Sequence, residues 1–279
     1  MDQRKGVKSQ EFAFQILRPC SSDAQQQRSG VTFAGKARHH ANRAFSVRRP
    51  QSAGSPDTPE DFFAGDNLLT VLEGVSVKIN GSPAYIYYIS PTQLNVLTPD
   101  DMPSGPVQVQ VTTASGVSSS FTATSGPVSP AFFLFTAKYP AAVHPSGVPV
   151  GKAGLIAGAT FAPAKPGETI LLFGTGFGAT KPPLPAGKLV TTAEPLANTV
   201  QVTIGGQTAR VDFAGVSGSG LDQFNVKIPP GLPDGDAAVV ATVAGSTTQA
   251  NLVHHSSALR HRCEDSGNGA KGFSVYSIR

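Results

Sequence analysis

The sequence predicts an all-β protein made of tandem β-sandwich modules, the first of them incomplete. Three observations carry that expectation. Gly (30) and Pro (23) are abundant while charged residues make up only 14% of the 279 residues. Such a composition suits short strands joined by tight turns and opposes long helices, where interior Gly costs about 1 kcal/mol and Pro about 3. Apolar residues recur with a period of two between turn signals, as in half-buried strands. Finally, one block of this pattern occurs twice along the chain.

The first block begins near Leu68. Val75, Val77 and Ile79 alternate with Ser76 and Lys78, and Asn80-Gly81 supplies a turn suited to positive φ. Ala84 to Ile89 returns, Gln93 to Thr98 makes a third strand, and Pro99 to Gly105 is a turn. Val107, Val109 and Val111 alternate, Val117 to Thr124 closes a hairpin, and Pro127 to Pro130 marks a boundary. In the second block Val200, Val202 and Ile204 precede Gly205-Gly206, and Ala209 to Phe213 returns. Leu221 to Ile228, the turn Pro229 to Gly235, Val239 to Val243 and Thr247 to Val253 follow.

Ile79-Asn80-Gly81-Ser82-Pro83-Ala84 aligns with Ile204-Gly205-Gly206-Gln207-Thr208-Ala209, and Gln93-Leu94-Asn95-Val96 with Gln223-Phe224-Asn225-Val226. A period this long is a module duplication rather than a solenoid. The second copy also has a front strand, Thr169 to Phe173, followed by Gly174-Thr175-Gly176-Phe177-Gly178. Nothing similar precedes the first copy at Ala41 to Ala53. The expected division is an atypical, disordered or miscalled segment over 1–65 without sustained periodicity, a partial module over 66–135, a complete module over 136–254 and a disordered tail over 255–279. A sheet without its front strand has an open edge. Cover would come from the N-terminal segment, the second module or another chain, which leaves room for self-association through the first module.

Charge divides sharply. Residues 1–50 hold ten Lys or Arg against three Asp or Glu, whereas 51–255 hold eight against thirteen. The folded part is mildly acidic, which argues against nucleic-acid binding by the modules. The two cysteines, Cys20 and Cys263, lie outside the repeated blocks, so neither a disulfide framework nor a four-cysteine zinc site is expected within them. The N-terminus has only the short apolar stretch Phe12 to Leu17, which is too short for a secretory signal, and no run reaches the roughly 20 apolar residues of a membrane helix.

Pro166-Gly167-Glu168, GTGFG at 174–178, VTIGG at 202–206, QFNV at 223–226 and PPGLPDGD at 229–236 together resemble the IPT/TIG-like repeat of an uncharacterised C-terminal domain family found in large secreted acidobacterial proteins. LEGVSVKINGSPAYIYYISPTQLNVLTP at 72–99 resembles the first repeat of that region. The resemblance spans about 68–254. It implies an immunoglobulin-like fold and an extracellular or cell-surface setting, and brings with it no catalytic residue. The expected fold class is therefore tandem immunoglobulin-like (IPT/TIG-like) β-sandwich modules.

Site signals are sparse. The paired amides Gln93, Asn95, Gln223 and Asn225 sit opposite the apolar positions of their strands, where they suit either sugar hydrogen bonds or backbone satisfaction. With no Trp in the chain, a sugar-stacking platform falls to Tyr85 and Tyr87, which simple alternation puts on one face with Tyr88 on the other. The GTGFG run is followed by Lys181-Pro182-Pro183-Leu184-Pro185, which forbids the helix a phosphate loop needs; it reads as a strand end and bend with Phe177 packing on the sandwich. Asp234-Gly235-Asp236 reads as a hairpin turn before a calcium site, and His254 and His255 diverge on a strand. His144 reads as a surface residue. No GxSxG elbow occurs. The expectation is a non-catalytic spacer, adhesion or protein-interaction module without cofactor or metal, partnered by a protein or a polysaccharide; the alternative is a carbohydrate-binding module accessory to an enzyme.

Overall fold

A computed structural model describes residues 63–89, 93–100 and 102–257, together with the backbones of two strands further upstream. Of the tail expected over 255–279, His255 and Ser256 end the last strand, and 258–279 lie outside the described residues, as does the remainder of the first 62. Every regular element described is a strand. The two upstream strands are β1 (Gln10–Leu17) and β2 (Val31–Ala37), both within the segment expected to lack sustained periodicity.

The first block contains β3 (Phe63–Ala64), β4 (Asn67–Leu68), β5 (Val71–Leu72), β6 (Val75–Ile79), β7 (Ser82–Pro83), β8 (Tyr85–Ile89), β9 (Gln93–Leu97), β10 (Gly105–Thr113), β11 (Gly116–Val117) and β12 (Phe121–Ser125). One sheet has the order β2-β1-β9-β8, the other β11-β10-β6-β5 with β12 on β10. Asn80 and Gly81 both adopt positive φ in the turn between β6 and β7, as the Asn-Gly signal requires. The alternation of β6 buries Val75, Val77 and Ile79, and β10 adds Val107 and Val109. They meet Ile86, Ile89, Leu94 and Val96 of the facing sheet, so the core lies between the two layers.

The second block contains β13 (Ala131–Phe132), β14 (Ala142–Val143), β15 (Thr169–Thr175), β16 (Glu194–Pro195), β17 (Val200–Ile204), β18 (Gln207–Gly218), β19 (Leu221–Lys227), β20 (Gly235–Val243), β21 (Ser246–Thr247) and β22 (Val253–Ser256). The long β18 belongs to both layers. Its first residues pair with β17, and the rest pairs with β19. Ile170, Leu172, Phe224 and Val226 of the β15–β19 layer pack against Val202, Ile204, Val239 and Ala241 of the β17–β20 layer. Phe177 and Phe224 stand 4.4 Å apart between ring centroids, with Phe132 edge-on to Phe224 at 6.0 Å. These rings fill the end of the core, as expected for Phe177.

The GTGFG run is shaped by its neighbours. A Cβ at Gly174 would lie 2.6 Å from the Ala131 carbonyl oxygen, and one at Gly176 (φ +82°) would collide with the Ser129 carbonyl. The chain through 129–131 occupies the space that these glycines leave open. Asp222 accepts a 3.1 Å hydrogen bond from the Phe177 N–H and fixes the bend.

The two blocks share one irregularity. The β8–β9 register runs Tyr85↔Leu97, Ile86↔Val96, then skips to Tyr88↔Asn95 and Ile89↔Leu94. The β18–β19 register runs Arg210↔Lys227, Val211↔Val226, then skips to Phe213↔Asn225 and Ala214↔Phe224. Each strand carries a bulge, at Tyr87 and at Asp212, opposite the Asn of the amide pair.

Candidate functional site at the junction of the two blocks

The bulge overturns the expected placement of Tyr88. An extra residue in one strand shifts every later side chain to the other face. Ile86 and Ile89 therefore both point inward, three residues apart, and Tyr87 (49% exposed) and Tyr88 (46%) are both left on the surface. Tyr85 is set apart from the two exposed tyrosines by its burial. It is half-buried and packs with Leu68, Leu97, Phe133 and Leu189.

That cluster joins the two blocks. Leu68, Tyr85 and Leu97 come from the first, whereas Phe133 and Leu189 come from the second. The segment between β15 and β17 is responsible. Its end is tied to β18 through β16, and its middle reaches back to β4. The Leu68 N–H donates to the Gly187 carbonyl at 2.7 Å, and the Leu189 N–H donates to the Asp66 carbonyl at 2.7 Å. The Ala186 N–H donates to Asp100 Oδ2 at 3.1 Å. Gly187 has φ +73°, and any Cβ there would collide with the Tyr85 ring. Only glycine offers both that backbone conformation and that approach. The prolines at 182, 183 and 185, which forbid a helix, belong to this strap.

The amides behave as structure predicts for strand side chains facing away from a core. Leu94, Val96, Phe224 and Val226 are buried, and Asn95, Gln223 and Asn225 are half-buried on the opposite face. The Gln223 Nε2 donates to Asn225 Oδ1 at 2.9 Å, so these two amides partly satisfy one another. Gln93 holds the first position of β9; its side chain lies outside the described residues. The six residues singled out in the sequence thus separate. Tyr85 enters the junction, Tyr87 sits on the bulge, Asn95 lies beside it, and Gln223 and Asn225 pair on the second block.

A polar cluster that sequence reasoning missed lies on the second block. His144 is buried rather than exposed: Nδ1 lies 2.5 Å from Glu168 Oε1, and Nε2 is 3.2 Å from the Ala162 carbonyl. Asp236 accepts from the Tyr139 hydroxyl at 2.8 Å and lies 2.7 Å from His255 Nδ1. His254 points the other way and is buried, with no hydrogen-bond partner for Nε2. Burial, reinforced by His255 and His144, pulls the His254 pKa down to about 4. Burial would raise Glu168 and Asp236. The bonds from His144 and the Lys165 N–H to Glu168, and from Tyr139 and His255 to Asp236, outweigh it and leave both carboxyls below their ordinary values. Burial and then the Asp236 contact push the Tyr139 phenol up to about 12. The only sequence signal for this cluster was the proximity of His144, Glu168 and Asp236 to strand ends. No three His, Cys, Asp or Glu among the described residues are grouped to hold a metal.

Residues 62–125 match the IPT/TIG domain. Domains of that family are generally non-catalytic immunoglobulin-like modules used in protein interaction. The match falls on the first block and agrees with the all-strand, two-layer fold found there. No curated protein matches the chain. Among the described residues, no helix is long and apolar enough to cross a membrane.

Proposed function

We propose that the chain is a tandem of two immunoglobulin-like modules that acts as a rigid spacer and protein-interaction element of a larger secreted or surface protein. The reading rests on the junction. A flexible linker would leave two modules to move independently, as interdomain contacts usually permit. Here the 182–189 strap donates two backbone hydrogen bonds, accepts one and adds an apolar cluster across the boundary. An arrangement of that kind holds spacing and orientation, which is what a spacer or adhesion module requires. The shared bulge and the aligned β8–β9 and β18–β19 registers support descent of both modules from one ancestor.

The experiment is a pulsed electron-spin distance measurement between labels at Ser120→Cys and Asp234→Cys, with Cys20 and Cys263 replaced by Ser. A narrow distribution that broadens in Gly187→Val is expected. A broad distribution in the parent chain would remove the rigid-spacer reading. The carbohydrate-binding alternative draws on one observation, the exposed Tyr87 and Tyr88 beside Asn95. A polysaccharide array probed with the full chain and with Tyr88→Ala separates it from the protein-interaction reading.

A further inference from the structure

Strand β9 has two edges to satisfy. One pairs with β8. In the second block the equivalent strand, β19, has its other edge on β15, antiparallel, with Leu171↔Asn225 and Phe173↔Gln223 in register. No described strand of 63–125 fills that position in the first block. The N-terminal strand β1 fills it instead, and runs parallel to β9: Ala13↔Gln93, Phe14↔Leu94, Gln15↔Asn95, Ile16↔Val96, Leu17↔Leu97.

The direction is informative. A front strand that entered as in the second block would run antiparallel, so β1 is a substitute rather than a displaced copy of β15. The edge it covers needs a partner. Leu94, Val96 and Leu97 are buried, and a buried backbone group left without a hydrogen bond costs about 1–3 kcal/mol. The sequence of β1 suits the position: Phe12, Phe14 and Ile16 alternate with polar or small residues. Register puts Phe14 and Ile16 level with the buried Leu94 and Val96. β1 pairs also with β2, so the occupant is a two-stranded hairpin. Between β2 and β3 lies the segment 38–62, long enough when extended to span roughly 80–90 Å.

We propose that the outer edge of β9 is a strand-acceptor site and that the β1–β2 hairpin is its exchangeable occupant, so that the partner this surface fits is the same hairpin of a second copy. Strand addition to an open edge relies on main-chain hydrogen bonds for affinity and on alternate side chains for register. Exchange of an identical element between copies adds no new interface type and therefore costs little. The result is a reciprocal dimer in which each first block is completed by the other chain.

The test uses the full-length chain with Cys20→Ser and Cys263→Ser. Ala13→Cys and Gln93→Cys in one chain mark the cis arrangement, since neighbouring-strand partners fall within disulfide reach. Oxidation at low concentration should give a cross-linked monomer. Two differently tagged chains, one with Ala13→Cys alone and one with Gln93→Cys alone, mark exchange. Mixed at high concentration and oxidised, they should yield a disulfide-linked band at twice the chain mass, increasing with concentration. Leu17→Cys with Gln93→Cys, four residues out of register, should not. Failure of the cis disulfide would show that β1 does not occupy the β9 edge. A heterodimer yield no greater than that of the out-of-register pair would show that the hairpin does not exchange. Either result overturns the proposal.

Discussion

The backbone N–H of Leu68 donates to the carbonyl oxygen of Gly187 at 2.7 Å, joining two residues 119 positions apart in sequence and on different sandwiches. The bond exists because Gly187 holds φ +73° and leaves its Cβ position to the ring of Tyr85. Each half of that arrangement can be tested separately.

Replacing Gly187 with Ala should destabilise the protein by about 1–3 kcal/mol, from a strained backbone plus the collision with Tyr85. Gly231 is the control. It has φ +79° and nothing within 4 Å of a built Cβ, so Gly231→Ala carries the backbone term alone. Urea unfolding should rank Gly187→Ala well below Gly231→Ala. In the Tyr85→Ala background the extra loss at Gly187 should shrink. Equal losses at the two glycines would mean that the strap does not press on Tyr85.

Acid should weaken the second sandwich before most carboxylates titrate. His254 has its folded pKa near 4, against 6.5 when free. Between those values the unfolded chain takes up a proton that the folded chain refuses, so stability falls as pH drops through this window. The full difference corresponds to about 3 kcal/mol. Glu168 and Asp236, both depressed, continue the loss at lower pH: the stability they contribute is present above the ordinary carboxylate pKa and disappears as pH falls through their folded values. Unfolding midpoints measured from pH 7.5 to 4.5 should decline steadily. His254→Leu should flatten that decline, and an unchanged slope in the variant would contradict the buried neutral imidazole.

The three phenylalanines at the end of the second core set the contrast between core and surface. Phe224 is fully buried against Phe177 and Phe132, so Phe224→Ala should cost about 3–5 kcal/mol. Tyr88, nearly half exposed on the first block, should lose less than about 0.5 kcal/mol on truncation. Thermal unfolding of the two variants distinguishes them directly. A large loss at Tyr88 would place it in an interface.

Alternation and turn chemistry made the sandwich cores legible. Val75, Val77 and Ile79, like Val200, Val202 and Ile204, face inward as their period of two requires. Adjacent His254 and His255 diverge for the same reason. The bulge broke the rule in β8. One inserted residue preserves apolar content while it reverses the facing of every later side chain in the strand, and the three-residue spacing of Ile86 and Ile89 was the only trace it left. The junction was illegible for a different cause. The Pro-rich strap has no periodicity, and its meaning lies in residues more than eighty positions away, such as Asp66, Leu68 and Asp100. The burial of His144 is illegible because a lone histidine beside Pro145 carries no signal of Glu168, 24 residues on in the chain.

The amide pair of β19 offers the last test, because its chemistry separates a structural role from a recognition role. Gln223 Nε2 donates to Asn225 Oδ1 at 2.9 Å on the face away from the core, opposite the bulge at Asp212. If the pair serves the sheet, each amide loses its partner when the other is removed. Gln223→Ala and Asn225→Ala should then each cost about 1 kcal/mol, and the double variant should cost less than their sum, as for any hydrogen-bonded pair. A pair kept for recognition would instead show independent, near-zero stability effects and a loss of ligand retention on the polysaccharide array. The half-buried state of both side chains, and the single bond that already consumes one donor and one acceptor, favour the first outcome. Unfolding free energies of the wild type, the two single variants and the double variant, read alongside the array, decide between them.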